Sequence, residues 1–133
     1  MYLLVFSVLL IAGLVAFVRL APSEPGRWHQ PITATSSSDA PGRATRVIEA
    51  APGALARVDA AARALPRTTV LAGSVEAGRI TYITRSAVIG FPDYTTVDYA
   101  DGMLKMLARL RFGRSDLGVN RKRLERLIAA AQG

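Results

Sequence analysis

Residues 79–112 read RITYITRSAVIGFPDYTTVDYADGMLKMLARLRF. Three strand-like runs lie in this stretch, divided by two turns. Arg79 to Ile89 carries Ile80, Tyr82, Ile83, Val88 and Ile89. Gly90-Phe91-Pro92-Asp93 interrupts it, because Gly and Pro punctuate regular structure. Tyr94 to Tyr99 alternates, with Thr95, Val97 and Tyr99 on one side and Tyr94, Thr96 and Asp98 on the other. Asp101-Gly102 is a strong hairpin signal, since both residue types tolerate positive φ. Met103 to Phe112 fits two periods. Period two puts Leu104, Met106, Ala108, Leu110 and Phe112 opposite Lys105, Arg109 and Arg111. Period 3.6 joins Met103, Met106, Leu107 and Leu110. The Asp-Gly turn just before favours a strand. Short turns between neighbouring strands predict an antiparallel meander.

Working outward, Thr68 to Val75 is a further Thr/Val-rich strand, closed by the turn Glu76-Ala77-Gly78. Before it, Pro52-Gly53 opens a helical pattern that Pro66 stops. Leu55, Val58, Ala62 and Leu65 form its apolar stripe, with Arg57, Asp59 and Arg63 off it. Arg43 to Ala50 reads as the first strand. Past the meander, Asn120 is a good helix N-cap, and Val119 and Leu124 have the spacing of a hydrophobic staple. Leu124, Leu127, Ile128 and Ala131 make that helix's buried stripe. The expected class is α+β: an N-terminal transmembrane helix, then a small antiparallel sheet covered by two helices in the order β-α-β-β-β-β-α.

Tyr2 to Val18 is apolar except for Ser7 and Gly13, and Arg19 ends the run. At 1.5 Å per residue it covers ~26–30 Å, enough to cross a bilayer. A cleaved signal peptide fits less well. No Lys or Arg precedes the run, Ala16 follows Leu14 at the −3 spacing, and Ala21 precedes Pro22. The expected organisation is an anchor over 1–21, a Pro/Ser-rich linker over 22–42 and a globular domain over 43–133. In the linker, Trp28 either sits at headgroup level or folds back on the domain. His29, the only histidine, is expected to be solvated, and Ile32 to Gly42 to be loosely ordered.

The chain has 133 residues, half of them apolar, a net charge of +7 and no cysteine. One small domain follows from the length. Disulfides, thiolate metal sites and a cysteine nucleophile are excluded. The charge favours anionic partners: lipid headgroups, nucleic acid or an acidic protein face. No recognisable nucleic-acid module is present, so none is expected as partner. Arg far outnumbers Lys and Ala is abundant, as in a GC-rich bacterial genome. The expected location is a bacterial inner membrane, crossed once. Arg19 and Arg27 after the span lean towards a cytoplasmic domain; an exported domain stays open.

The densest stretch is GRSDLGVNRKRLER, residues 113–126. Gly113 and Gly118 bracket a turn in which Ser115 and Asp116 can accept from nearby amides. Arg121, Lys122 and Arg123 then open the last helix with the wrong sign for its macrodipole, at roughly 0.3–1 kcal/mol per exposed charge. Asp116 is the nearest compensating anion, paired with Arg114 or Arg121. The functional alternative is an anion site of Arg114, Ser115, Asn120, Arg121 and the free amides of the helix start. A second group, Lys105, Arg109, Arg111, Lys122 and Arg126, could form a basic patch against anionic headgroups.

The run Gly113-Arg114-Ser115-Asp116-Leu117-Gly118, with Asn120, Arg121 and Arg123, preceded by RITYITRSAVIGFPDYTTVDY, resembles the bacterial family DUF1499. The resemblance spans roughly Arg43 to Ala131 and departs from the family's pattern at Leu104 to Phe112. It implies a small α+β domain, often behind an N-terminal hydrophobic segment. It brings no activity, cofactor or catalytic residue.

Catalysis has little footing. Asp93, Asp98 and Asp101 are the only acidic cluster and lie at turns. Ser115-Asp116 has no histidine to work with. There is no Walker A run and no GxGxxG. No cofactor or metal is expected. Two functions stay open. One is a membrane-anchored, non-catalytic accessory or interaction protein, its basic domain at the membrane surface, within a larger membrane protein complex or in contact with anionic lipid. The other is a helix-grip-like carrier of a hydrophobic or anionic lipid, with a cavity lined by Ile83, Val97, Leu110 and Leu127.

Overall fold

The computed structural model describes residues 1–133. In chain order the elements are α1 (Tyr2–Leu20), α2 (Pro25–Trp28), β1 (Ser38–Ala40), β2 (Arg43–Glu49), α3 (Ala54–Arg63), β3 (Thr68–Ser74), β4 (Arg79–Arg85), β5 (Pro92–Ala100), β6 (Met103–Leu110) and α4 (Val119–Gln132). The strands form one antiparallel sheet in the order β1-β2-β6-β5-β4-β3. The expected α+β order holds, with the short strand β1 added at the edge.

Residues 103–112 resolve in favour of period two. Leu104, Met106 and Ala108 are buried under the helices, while Lys105 and Arg109 point to the other face. Strand pairing on both sides, to β2 and β5, outweighs the helical propensity of Leu, Met and Ala here. β4 is shorter than its apolar run. It stops at Arg85, because the Ser86 hydroxyl accepts from the Gly90 and Phe91 amides and closes a loop over 86–91. Gly90 turns the chain at φ +84°, leaving Val88 82 % exposed.

α3 and α4 cover one face of the sheet. Leu55, Val58 and Ala62 of α3 and Leu124, Leu127 and Ala131 of α4 pack on Ile80, Tyr82, Val97, Leu104 and Met106. Fully burying each large side chain contributes about 1.5–3 kcal/mol. The Tyr82 hydroxyl donates to Asp59 on α3 at 2.6 Å. Burial first, and the Asp59 carboxylate second, push that phenol well above its usual range, so it stays a donor.

The other face is covered by the chain leading out of α1. Trp28 is buried, stacked on Tyr94 with centroids 3.8 Å apart and planes 8° from parallel. The Trp28 carbonyl accepts from Arg109 at 2.7 Å and from Thr96 at 3.3 Å. Ser23 Oγ bonds the Tyr94 hydroxyl at 2.7 Å, and the Pro22 carbonyl accepts from Arg111 at 2.9 Å. The Ile32 amide donates to Asp98 at 3.0 Å, with the Ile32 side chain buried. Residues 22–36 are therefore a strap across the sheet. Trp28 folds back on the domain, and Ser38–Ala40 pairs with β2 instead of remaining loose.

His29 is likewise not a free linker residue. Its Nδ1 lies 2.8 Å from Thr81 Oγ1. Burial first, and the Arg79 charge second, lower its pKa. Gly73, at φ +89°, makes room: a Cβ there would meet the Arg79 carbonyl and the His29 ring. Trp28→Ala should cost about 3–5 kcal/mol, the usual range for emptying a buried aromatic site. Chemical denaturation of the full chain followed by circular dichroism measures it. A loss below 1 kcal/mol would mean the strap is not part of the folded body.

Candidate functional site

The strand ends define two different poles. Glu49, Glu76 and Asp101 are exposed where β2, β3 and β5 finish. At the opposite end lie the loop 86–91, the end of β6, the turn 113–118 and the first turn of α4. The last turn of α1 meets the domain at this end. Val18 is buried, and Phe17 packs edge-on to Phe112 with centroids 6.2 Å apart. The Arg19 guanidinium donates to the carbonyls of Val88 and Ile89. Arg85 donates to the Gly90 carbonyl at 3.0 Å and reaches the Val18 carbonyl at 3.5 Å.

Shallow clefts open at this end. One, of about 270 Å³, is lined by Arg67, Arg85, Ser86, Phe91, Asp93, Phe112, Ser115, Asp116 and Arg123. Its floor is a polar chain. Asp116 Oδ1 accepts from the Gly118 amide at 3.0 Å and Oδ2 from the Asn120 amide at 2.9 Å. Asn120 Oδ1 accepts from Arg123 at 2.6 Å, and Arg123 reaches Asp93 at 3.5 Å. Burial pushes the Asp93 carboxyl up and the Arg123 guanidinium down, and each partner's charge opposes the shift on the other. Burial also pushes Asp116 up, but the Asn120 and Gly118 amides together outweigh it and hold its pKa below the ordinary carboxylate value.

This geometry revises the expected anion site. The helix starts at Val119 with Gly118 as its cap, and Asn120 is fully buried inside the first turn. The amides that would hold an external anion already hold Asp116. Asp116 thus offsets the misplaced basic turn through backbone donors. It forms no ion pair with Arg114 or Arg121, and Arg121 faces Glu125 at 3.9 Å. Ser115 and Arg121 share a cleft with Asp39 and Arg43, which Arg114 and Asn120 do not line. Gly113 takes φ +93° and Gly118 φ +81°, as their turn requires.

The expected basic patch divides. Lys122 and Arg126 meet Arg67 and Arg123 along a cleft of about 250 Å³. Arg111 is at the same end, tied to the strap. Arg109 is turned under Trp28, 5.1 Å from the ring centroid. Burial, and then Arg43, push its pKa down to about 10. Lys105 pairs across strands with Asp98, nearer the other pole. The carrier cavity is not formed. Ile83 packs with Trp28 and Tyr94 on the strap face, whereas Val97 and Leu127 pack under the helices. The sheet separates them. Asp93 and Asp98 also point to opposite faces, towards Arg123 and Arg79 respectively. No three His, Asp or Glu side chains converge on one point.

Sequence reasoning missed the grouping of Arg19, Arg67 and Arg85. They line one cleft of about 540 Å³ with Thr68, Thr69 and Ser86. They come from the last turn of α1, the turn before β3 and the end of β4, and carry no motif; their one shared signal is a position next to an element boundary.

The class these features define is a strapped α+β domain in contact with the last turn of an apolar N-terminal helix. A family model described as protein of unknown function (DUF1499) matches residues 18–130, and the chain belongs to that family. The matched region takes in the end of α1 and the whole strap. No curated protein matches the chain.

Asp116→Asn, which keeps one acceptor but removes the negative charge beside the helix start, should cost about 0.3–1 kcal/mol at neutral pH, the usual value of such a charge. The folded pKa of Asp116 is depressed, so its contribution is complete above 3.8 and fades as pH falls through the folded value. The gap between wild type and Asp116→Asn in denaturant titrations should therefore narrow below pH 3.8. A gap independent of pH would show that Asp116 does not cap as a carboxylate.

Proposed function

We propose that this is a single-span membrane protein with a non-catalytic α+β domain. The domain is held with its basic pole against the membrane surface and serves as an accessory or interaction subunit. The carrying observation is the junction. α1 is 19 residues long and apolar enough to cross a bilayer. Its last turn is fastened to the basic pole through Val18, Arg19 and Phe17. The strap follows without a free hinge: Pro22 and Ser23 already bond to Arg111 and Tyr94. A leader destined for removal has no need of such contacts with the mature body.

Charge supports the same orientation. Arg19, Arg67, Arg85, Arg114, Lys122 and Arg126 lie at the end where α1 leaves, and Glu49, Glu76 and Asp101 at the other. Each basic side chain near an anionic leaflet contributes about 1 kcal/mol. The concentration of Arg beside the span favours the cytoplasmic face of a bacterial inner membrane.

The test is fractionation of cells expressing the full chain. After alkaline carbonate washing the protein should stay in the membrane pellet, and its intact mass should retain Met1 to Leu20. Recovery in the supernatant, or a mass lacking those residues, would overturn the proposal.

A further inference from the structure

Arg19, Arg67 and Arg85 have no carboxylate partner. None takes part in an ion pair. Each guanidinium is instead positioned by main-chain carbonyls. Arg19 bonds Val88 and Ile89, Arg67 Nε bonds Arg85 at 2.9 Å, and Arg85 bonds Gly90 at 3.0 Å. The cleft they line adds the hydroxyl-bearing Thr68, Thr69 and Ser86 and contains no acidic residue. Carbonyl bonds orient a guanidinium without neutralising it, so the cleft keeps its positive charge and spare N–H donors. Guanidinium groups in this state suit a phosphate, which accepts several charge-assisted hydrogen bonds at once.

Two further features point the same way. Arg67 is held at φ +53°, a left-handed conformation that non-glycine residues rarely adopt. The Arg67 carbonyl accepts from the Arg85 amide at 3.0 Å, which fixes this strained residue beside the cleft. Strain of this kind gathers at ligand sites. The rim also carries Val88, 82 % exposed, and Ile89, both bonded through their carbonyls to Arg19 at the end of α1. Apolar tips next to a phosphate cleft, at the point where an apolar helix leaves the domain, match the layering of a bilayer surface: acyl chains below, phosphates above.

We infer that the cleft of Arg19, Arg67 and Arg85 binds the phosphate of an anionic glycerophospholipid while Val88 and Ile89 enter the lipid layer beside it. This rests on the membrane-anchored orientation proposed above and names the ligand class of that pole. Gly90 is part of the site, because a Cβ there would press on the Arg19 side chain at 3.1 Å.

The experiment uses the full chain in mild detergent, offered equal amounts of phosphatidylglycerol and phosphatidylcholine, with bound lipid counted by native mass spectrometry. The wild type should retain phosphatidylglycerol preferentially. The double variant Arg19→Gln/Arg67→Asn should lose roughly 25-fold of that preference, at ~5-fold per guanidinium. Asn tolerates the left-handed backbone, so the fold is kept. Arg57→Gln/Lys105→Gln removes the same charge nearer the other pole, where Arg57 bonds the Ala131 carbonyl, and should leave the ratio unchanged. Millimolar inorganic phosphate should not displace the lipid. No preference in the wild type, an equal loss in both double variants, or full displacement by phosphate would each overturn the inference. Failure here with the chain still carbonate-resistant removes the site and leaves the anchor standing.

Discussion

Trp28 lying flat on Tyr94 is the contact on which the arrangement depends. A single antiparallel sheet has two faces, and the two longer helices after α1 cover only one. Without the strap, Tyr94, Ile83 and the Arg109 stem would face water. The stack buries the largest ring in the chain against a neighbour held on both sides by strand pairing. Near-parallel aromatic contact adds about 0.5–1.5 kcal/mol beyond the area it buries. Arg109 adds a charge over the same ring and a hydrogen bond to its backbone, so three interactions converge on one residue.

The stack has a mechanical consequence. Since Pro22 and Ser23 are already bonded to the sheet, only Ala21 separates α1 from the strap's first contact. The helix and domain are joined with no length of free chain between them. The pole that faces the end of α1 is therefore fixed by the fold, and it is the pole where the arginines and the apolar tips of the 86–91 loop are found.

Much of this was legible in the sequence. Asp101-Gly102 and the alternation from Tyr94 to Tyr99 point to the meander, because local turn chemistry and side-chain period both act within a few residues; Met103 to Phe112 fitted two periods, and only the turn before it favoured a strand. Asp116 was legible as the anion that offsets Arg121 to Arg123, though its partners are amides and not side chains. The strap was not legible. Its composition, rich in Pro, Ser and Thr, is that of a linker, and what orders it is a partner far along the chain. Arg19 was legible only as the charge that ends the apolar run, and Arg67 and Arg85 not at all: a cleft assembled from the end of α1, the turn before β3 and the end of β4 leaves no spacing to read. Lys105, Arg109 and Arg111 misled because period two places them on one face, and only the buried strap shows that Arg109 is covered.

The signature run from Gly113 to Arg123 reads, in three dimensions, as scaffolding. Asp116 organises the first turn, Asn120 holds Arg123, and Arg123 meets Asp93. These bonds fasten α4 to the start of β5 and so fix the wall shared by the clefts.

Because the chain has no cysteine, the orientation of the domain can be measured with single nitroxide labels at Val88→Cys and Asp101→Cys in liposomes, read by oxygen and nickel-chelate accessibility. With the basic pole on the membrane, the label at 88 collides with oxygen in the lipid phase and is shielded from the chelate, while the label at 101 is open to the chelate. Equal chelate access at both positions would contradict the membrane-facing orientation.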